Sequence, residues 1–140
     1  MVVMKLELKH LAGYLPYGLK IHLTQFMQEN IIVMKGVTVY KDVITVWSEF
    51  SGYGDVYKKK LILLPLSDLT KEIEVNGEKF VPISELKLQC SYAISNEIDK
   101  FCIYKNYGDM PYWIIQKLLE WHFDIYGLIE NNLAIDKNTL

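Results

Sequence analysis

The broadest patterned stretch of apolar positions in the chain lies between Asp109 and Gly127. At about 100° per residue, Ile114, Ile115, Leu118, Leu119, Trp121, Phe123, Ile125 and Tyr126 spread over an arc of roughly 200°, and Gln116, Lys117, Glu120 and Asp124 fill the remainder. Asp109 suits an N-cap, because its carboxylate can accept from the unpaired amides of the first turn, and Pro111 loses nothing early in a helix. Gly127 supplies a left-handed stop. The pattern predicts one long helix over 109–127, wedged between a sheet and other segments, since one neighbour cannot cover so wide an arc. His122 falls near the middle of that arc and is expected to be buried. Trp113 projects among the polar residues.

Upstream, Leu8, Leu11 and Ala12 predict a short helix within Leu6 to Tyr14, ended by Gly13 and Pro16. Gly18 to Leu23 alternates as a half-buried strand, with His22 on its polar side. Ile31 to Met34, Val37 to Tyr40 and Val43 to Trp47 are β-branched or aromatic runs split by Lys35-Gly36 and Lys41-Asp42, which predicts a meander with tight turns. Ser51 to Asp55, with two glycines, reads as a flexible loop that Tyr53 can pin. Leu61 to Leu64 is a buried strand ending at Pro65. Ser67 caps a short helix through Ile73, and Asn76-Gly77 turns into a strand over Lys79 to Val81 that Pro82 stops or places at an edge. Glu85 to Cys90 fits either a helix opened by Ser84 or a strand, and Ser91 to Asp109 has no clear period. After the long helix, Leu128 to Ala134 reads as a last turn or short helix and Ile135 to Leu140 as a polar tail. The fold class is α+β: a small curled antiparallel sheet in the N-terminal half, for which an SH3-like barrel is one form, and a long buried C-terminal helix.

Length and composition narrow this picture. The 140 residues suffice for a single compact domain, 1–140, and 51% hydrophobic against 23% charged residues is ordinary for a globular protein. The net charge of −2 provides no global field to draw in nucleic acid. All 15 basic residues are lysine, which removes the planar guanidinium fork from every site this chain can build by itself. Cys90 and Cys102 have no metal-ligand or CxxC spacing, and the N-terminus lacks the plan of a signal peptide, so a reducing cytoplasm is expected. No apolar run approaches the length of a membrane span.

Three segments, LPLSDLTKEIEVNGEKFVPISEL (Leu64 to Leu86), LLEWHFDIYGLIENNLAIDKNTL (Leu118 to Leu140) and MKLELKHLAGYLPYGLKI (Met4 to Ile21), resemble an uncharacterised family of small proteins of phages and prophages of Bacteroidetes. The resemblance covers both ends and the middle of the chain, but not Thr24 to Tyr57 or Leu88 to Asp109. It implies a protein made by a mobile element in the cytoplasm of a bacterial host. It implies no substrate, cofactor or site.

Candidate chemistry is sparse. His10, His22 and His122 lie on different elements and share no HxH or HExxH spacing. A His-based enzyme would rest on His122 or His10, although His122 fits a hydrogen-bonded core histidine better. Glu72 with Glu74, Glu97 with Asp99, and Glu120 with Asp124 are carboxylate pairs; the last shares a helix face but also stands beside Lys117, as on a solvated surface. The run Lys58-Lys59-Lys60 beside Tyr53 and Tyr57 is the material for a nucleic-acid site. Adjacent strand residues point to opposite faces, however, and near-neutral charge disfavours it. SGYGD lacks the GK[ST] of a phosphate loop, and no GxSxG elbow is present. No catalytic, metal or cofactor residue is assigned, and the oligomeric state stays open.

Protein–protein binding remains, because Tyr and Trp give large, rigid contact area that tolerates a wet edge. The candidate partner-binding residues are Trp113, Tyr112, Tyr53, Tyr57 and Tyr107. The expected function is a non-enzymatic accessory protein that binds a host or phage protein, a host-defence component being one such partner. Trp113→Ala is expected to weaken partner binding with little change in melting temperature. A large loss of stability would return Trp113 to the core.

Overall fold

The computed structural model describes residues 4–88 and 110–140. Tyr107, Tyr104, Asp109, Cys90, Cys102 and the pair Glu97 with Asp99 lie outside the described residues, as does the aperiodic stretch from Ser91. The chain is organised as two compact units, one of residues 1–63 and 126–140, the other of residues 64–125.

In the first unit, helix α1 (Leu8–Ala12) is followed by a 3-10 turn at Leu15–Tyr17. Strand β1 (Lys20–Gln25) pairs antiparallel with β2 (Gln28–Val33) and, on its other side, with β6 (Lys58–Leu63). The expected alternation holds, since Ile21 and Leu23 are buried while Lys20, His22 and Thr24 are not. Strands β3 (Gly36–Tyr40) and β4 (Val43–Trp47) form a hairpin, and β5 (Gly52–Tyr53) adds to β4. Lys41 and Asp42 both take positive φ, 48° and 66°, as a tight hairpin turn requires.

The expected continuous meander breaks at Lys35-Gly36. There the chain leaves the β2-β1-β6 sheet and begins a separate β3-β4-β5 sheet, so no closed barrel forms. Ser51 to Asp55 is not a free loop. Gly52 and Tyr53 pair with Trp47 and Val46, and a Cβ on Gly52 would lie 2.9 Å from the Trp47 ring. The C-terminal segment is also more than a polar tail, because β9 (Ala134–Asp136) pairs parallel with β6. The buried residues Leu11, Tyr14, Leu19, Ile21, Leu23, Met34, Val46, Leu61 and Leu128 make the core of this unit.

In the second unit, Leu66–Thr70 is a 3-10 turn rather than a helix reaching Ile73. The hairpin of β7 (Ile73–Val75) and β8 (Glu78–Phe80) turns at Asn76-Gly77 with φ of 52° and 84°, as expected. Pro82 stops the strand and begins helix α2 (Pro82–Leu88), which settles the ambiguity at Ser84 in favour of a helix.

The long C-terminal helix is not found. Helix α3 runs only over Tyr112–Glu120. His122 then takes φ of 62°, its N–H donates to the Leu119 carbonyl, and the Phe123 N–H donates to the Leu118 carbonyl. These two bonds make a Schellman stop with His122 in the left-handed place, and buried Phe123 and Leu118 supply the apolar contact that accompanies it. The helix gives way because the next residues have a stronger use. The Leu64 N–H donates to the His122 carbonyl, and the Asp124 N–H to the Leu64 carbonyl. The arc of 200° is thus shared between a helix and a turning segment that bridges to Leu64 only at Phe123. His122 is only half-buried and no longer a helical core residue, and Asp124 is buried beyond the helix instead of sharing a face with Glu120. No helix among the described residues is long and apolar enough to cross a membrane.

His10 is buried. Its Nδ1 accepts the backbone N–H of Glu7 at 2.9 Å, and its ring meets that of Tyr126 edge-on at 5.3 Å. It therefore does for α1 what a Glu or Gln does at the third position of a capping box. His10→Ala should cost about 1–3 kcal/mol in urea denaturation, and His10→Gln should recover part of that loss. Equal stability of the two variants would show that capping contributes nothing.

Candidate functional site

The buried face of the β1–β2 hairpin becomes polar towards its turn. Leu23 and Gln25 on β1 stand opposite Asn30 and Gln28 on β2, so all four share one face. Tyr53 and Tyr57 stand across from them, their rings edge to face at 5.0 Å. Together with Glu29 these side chains line an open groove of about 500 Å³. The structure thus brings together two of the candidate partner-binding residues. It leaves Tyr112 and Trp113 on another element, the first turn of α3, where Tyr112 is 73% exposed and Trp113 half-buried.

The loop that carries the two tyrosines is held by Lys59. This residue faces the same side as its β1 partner Leu23, and its ammonium donates to the carbonyls of Gly54 at 2.6 Å and Tyr57 at 3.3 Å. Burial holds the Lys59 amine below its ordinary pKa of 10.5, with Asp55 opposing the shift. Lys60 is also engaged, donating to Asn132 Oδ1 at 2.7 Å. Of the lysine run, only Lys58 is exposed. Two of the three ammonium groups therefore donate to the protein's own acceptors.

The turn that closes the hairpin is Phe26-Met27. Both side chains are almost fully in solvent, at 93% and 98%. Phe26 also takes φ of 55°, a left-handed conformation that glycine or asparagine adopts at far lower cost than an aromatic residue. The groove and this apolar tip adjoin through Gln25 and Gln28. Reading the sequence for aromatic content missed the tip. The signal available was the stretch Thr24 to Asn30, TQFMQEN, in which an apolar pair stands where a two-residue turn needs Gly or Asn.

His22 stands beside Glu29 of the groove. His22 Nε2 lies 3.7 Å from Glu29 Oε2, and its Nδ1 lies 3.5 Å from Thr24 Oγ1. Among the described residues, no group of three or more His, Cys, Asp or Glu side chains is placed to hold a metal ion. Phenol rings, three carboxamides and one carboxylate around an aliphatic floor offer both donors and acceptors, with no free cation in the lining. That set suits a polypeptide surface and not a phosphate.

Compared with known proteins, the chain matches no family model, no curated protein and no solved structure.

The buried ammonium of Lys59 predicts a pH dependence. Its folded pKa lies below the unfolded one, so the unfolded chain binds more protons between the two values and stability rises as pH climbs towards 10.5. The difference in unfolding free energy between the wild type and Lys59→Met should therefore grow with pH over that window, the ionisations common to both chains cancelling. A constant difference would show that the amine is not desolvated in the fold.

Proposed function

We propose that the protein is a non-enzymatic accessory protein of a phage or prophage that docks on a host or phage protein. The docking surface is the Phe26-Met27 tip with the groove of Tyr53 and Tyr57 beside it. The observation that carries this reading is the turn itself. Two large apolar side chains are held out in water on a backbone that disfavours one of them, at a position where glycine would be easier for the fold. Stability gives no reason for that choice; contact with a partner does, since exposed apolar and aromatic groups rimmed by polar ones are the usual anchors of an interface.

The phage and cytoplasmic context is supported by the resemblance of residues 4–21, 64–86 and 118–140 to the phage family. A component of a host defence complex is one partner of the proposed class. The nucleic-acid alternative is weakened by the engagement of Lys59 and Lys60, and the His-based enzyme by the use of His10 as a helix cap.

A photo-crosslinking residue placed at Met27 should give one dominant adduct in the natural host, whereas the same residue at exposed Glu74 should not. Phe26→Gly should remove that adduct while raising stability by about 0.5–1 kcal/mol, because the left-handed conformation no longer carries a Cβ. Retention of the adduct in Phe26→Gly, or a loss of stability, would overturn the assignment.

A further inference from the structure

A second recess lies within the unit of residues 64–125 and shares no residue with the groove of Tyr53 and Tyr57 or with the Phe26-Met27 tip. Phe80 at the end of β8 and Trp121, the residue that caps the C-terminus of α3, bring their rings together at 5.0 Å with a tilt of 53°. Together with Glu78, Lys79, Glu85, Lys117 and Glu120 they line an open cleft of about 560 Å³. Three carboxylates face two ammonium groups. One ammonium is already committed, since Lys117 Nζ lies 3.1 Å from Glu120 Oε2 and 5.9 Å from the centre of the Trp121 ring. Glu78 and Glu85 form no ion pair among the described residues. The cleft thus has an aromatic floor, surplus negative charge, and a cation of the chain's own resting on the indole.

We infer that this cleft takes an arginine side chain of another protein, its guanidinium lying on Trp121 in place of the Lys117 ammonium. A guanidinium is flat, more weakly hydrated than an ammonium and able to fork onto a carboxylate, so it gains more from an indole face flanked by Glu78 and Glu85 than Lys117 does. A second copy of this chain cannot be the donor, because the sequence contains no arginine. The inference stands independently of the hairpin-tip reading.

The test uses the full chain and three capped dipeptides, of arginine, lysine and the neutral isostere citrulline, titrated at low salt. Binding is read from the indole N–H resonance of Trp121. The arginine dipeptide is expected to shift that resonance saturably, with a Kd at least about threefold below that of the lysine dipeptide, and the citrulline dipeptide to leave it unmoved. Glu78→Gln with Glu85→Gln should raise the arginine Kd about three- to tenfold, an effect that salt reproduces in the wild type. Lys117→Met should lower it, because the resident cation is gone. Equal response to citrulline, indifference to the double carboxamide variant, or weaker binding in Lys117→Met would each overturn the inference. Phe26→Gly should leave all these values unchanged, which keeps the two sites separable.

Discussion

Strand β6 carries Leu61, Ile62 and Leu63, all buried, and a buried strand must satisfy its backbone on both edges. One edge is met early in the chain by β1, antiparallel, with Ile21 opposite Leu61. The other is met only at the far end, by β9, with Leu61 opposite Ala134. A parallel pair cannot be closed by a tight turn, so a long excursion has to separate its strands. Residues 64–125 are that excursion, and they make a unit with its own buried residues, among them Leu69, Leu86, Ile114, Leu118 and Phe123.

The same demand for backbone partners shortens the C-terminal helix. Continuing α3 past Glu120 would add helical bonds to residues that instead pair with Leu64. The outcome places two apolar residues, Phe123 and Ile125, in the turning segment after the helix, and both are buried there. His122 takes the left-handed position although it is not glycine, which means that the stop is imposed by packing on either side of it and not by the local preference of the residue.

Against these well-satisfied regions, two places depart from what the fold alone would choose. One is the Phe26-Met27 turn, apolar and exposed on a backbone unsuited to phenylalanine. The other is the cleft of Phe80 and Trp121, where the Lys117 ammonium sits on the indole and, among the described residues, Glu78 and Glu85 form no ion pair. Local departures of this kind concentrate where a protein meets another molecule, because there the compensation comes from outside the chain. In the lysine run, Lys59 holds the loop that presents Tyr53 and Tyr57, and Lys60 reaches the C-terminal segment at Asn132.

What the sequence by itself determined is local. The alternation of Ile21 and Leu23, the turns at Lys41-Asp42 and Asn76-Gly77, the buried run before Pro65 and the mixed α+β class all follow from periodicity and turn chemistry, which act between near neighbours. Tyr53 and Tyr57 could be chosen as contact residues because they lie close together along the chain. Only the tertiary structure decided the rest: the separation of β3-β4-β5 from the first sheet, the parallel pairing of β9, the burial of His10, the early stop at His122 and the place of Lys59. Each depends on a partner that sequence spacing does not reveal, such as Tyr126 for His10 or Leu64 for Asp124. The helix predicted over 109–127 failed for that reason: its apolar arc correctly announced heavy burial, but the place where the helix stops was set by pairing with Leu64, more than fifty residues away.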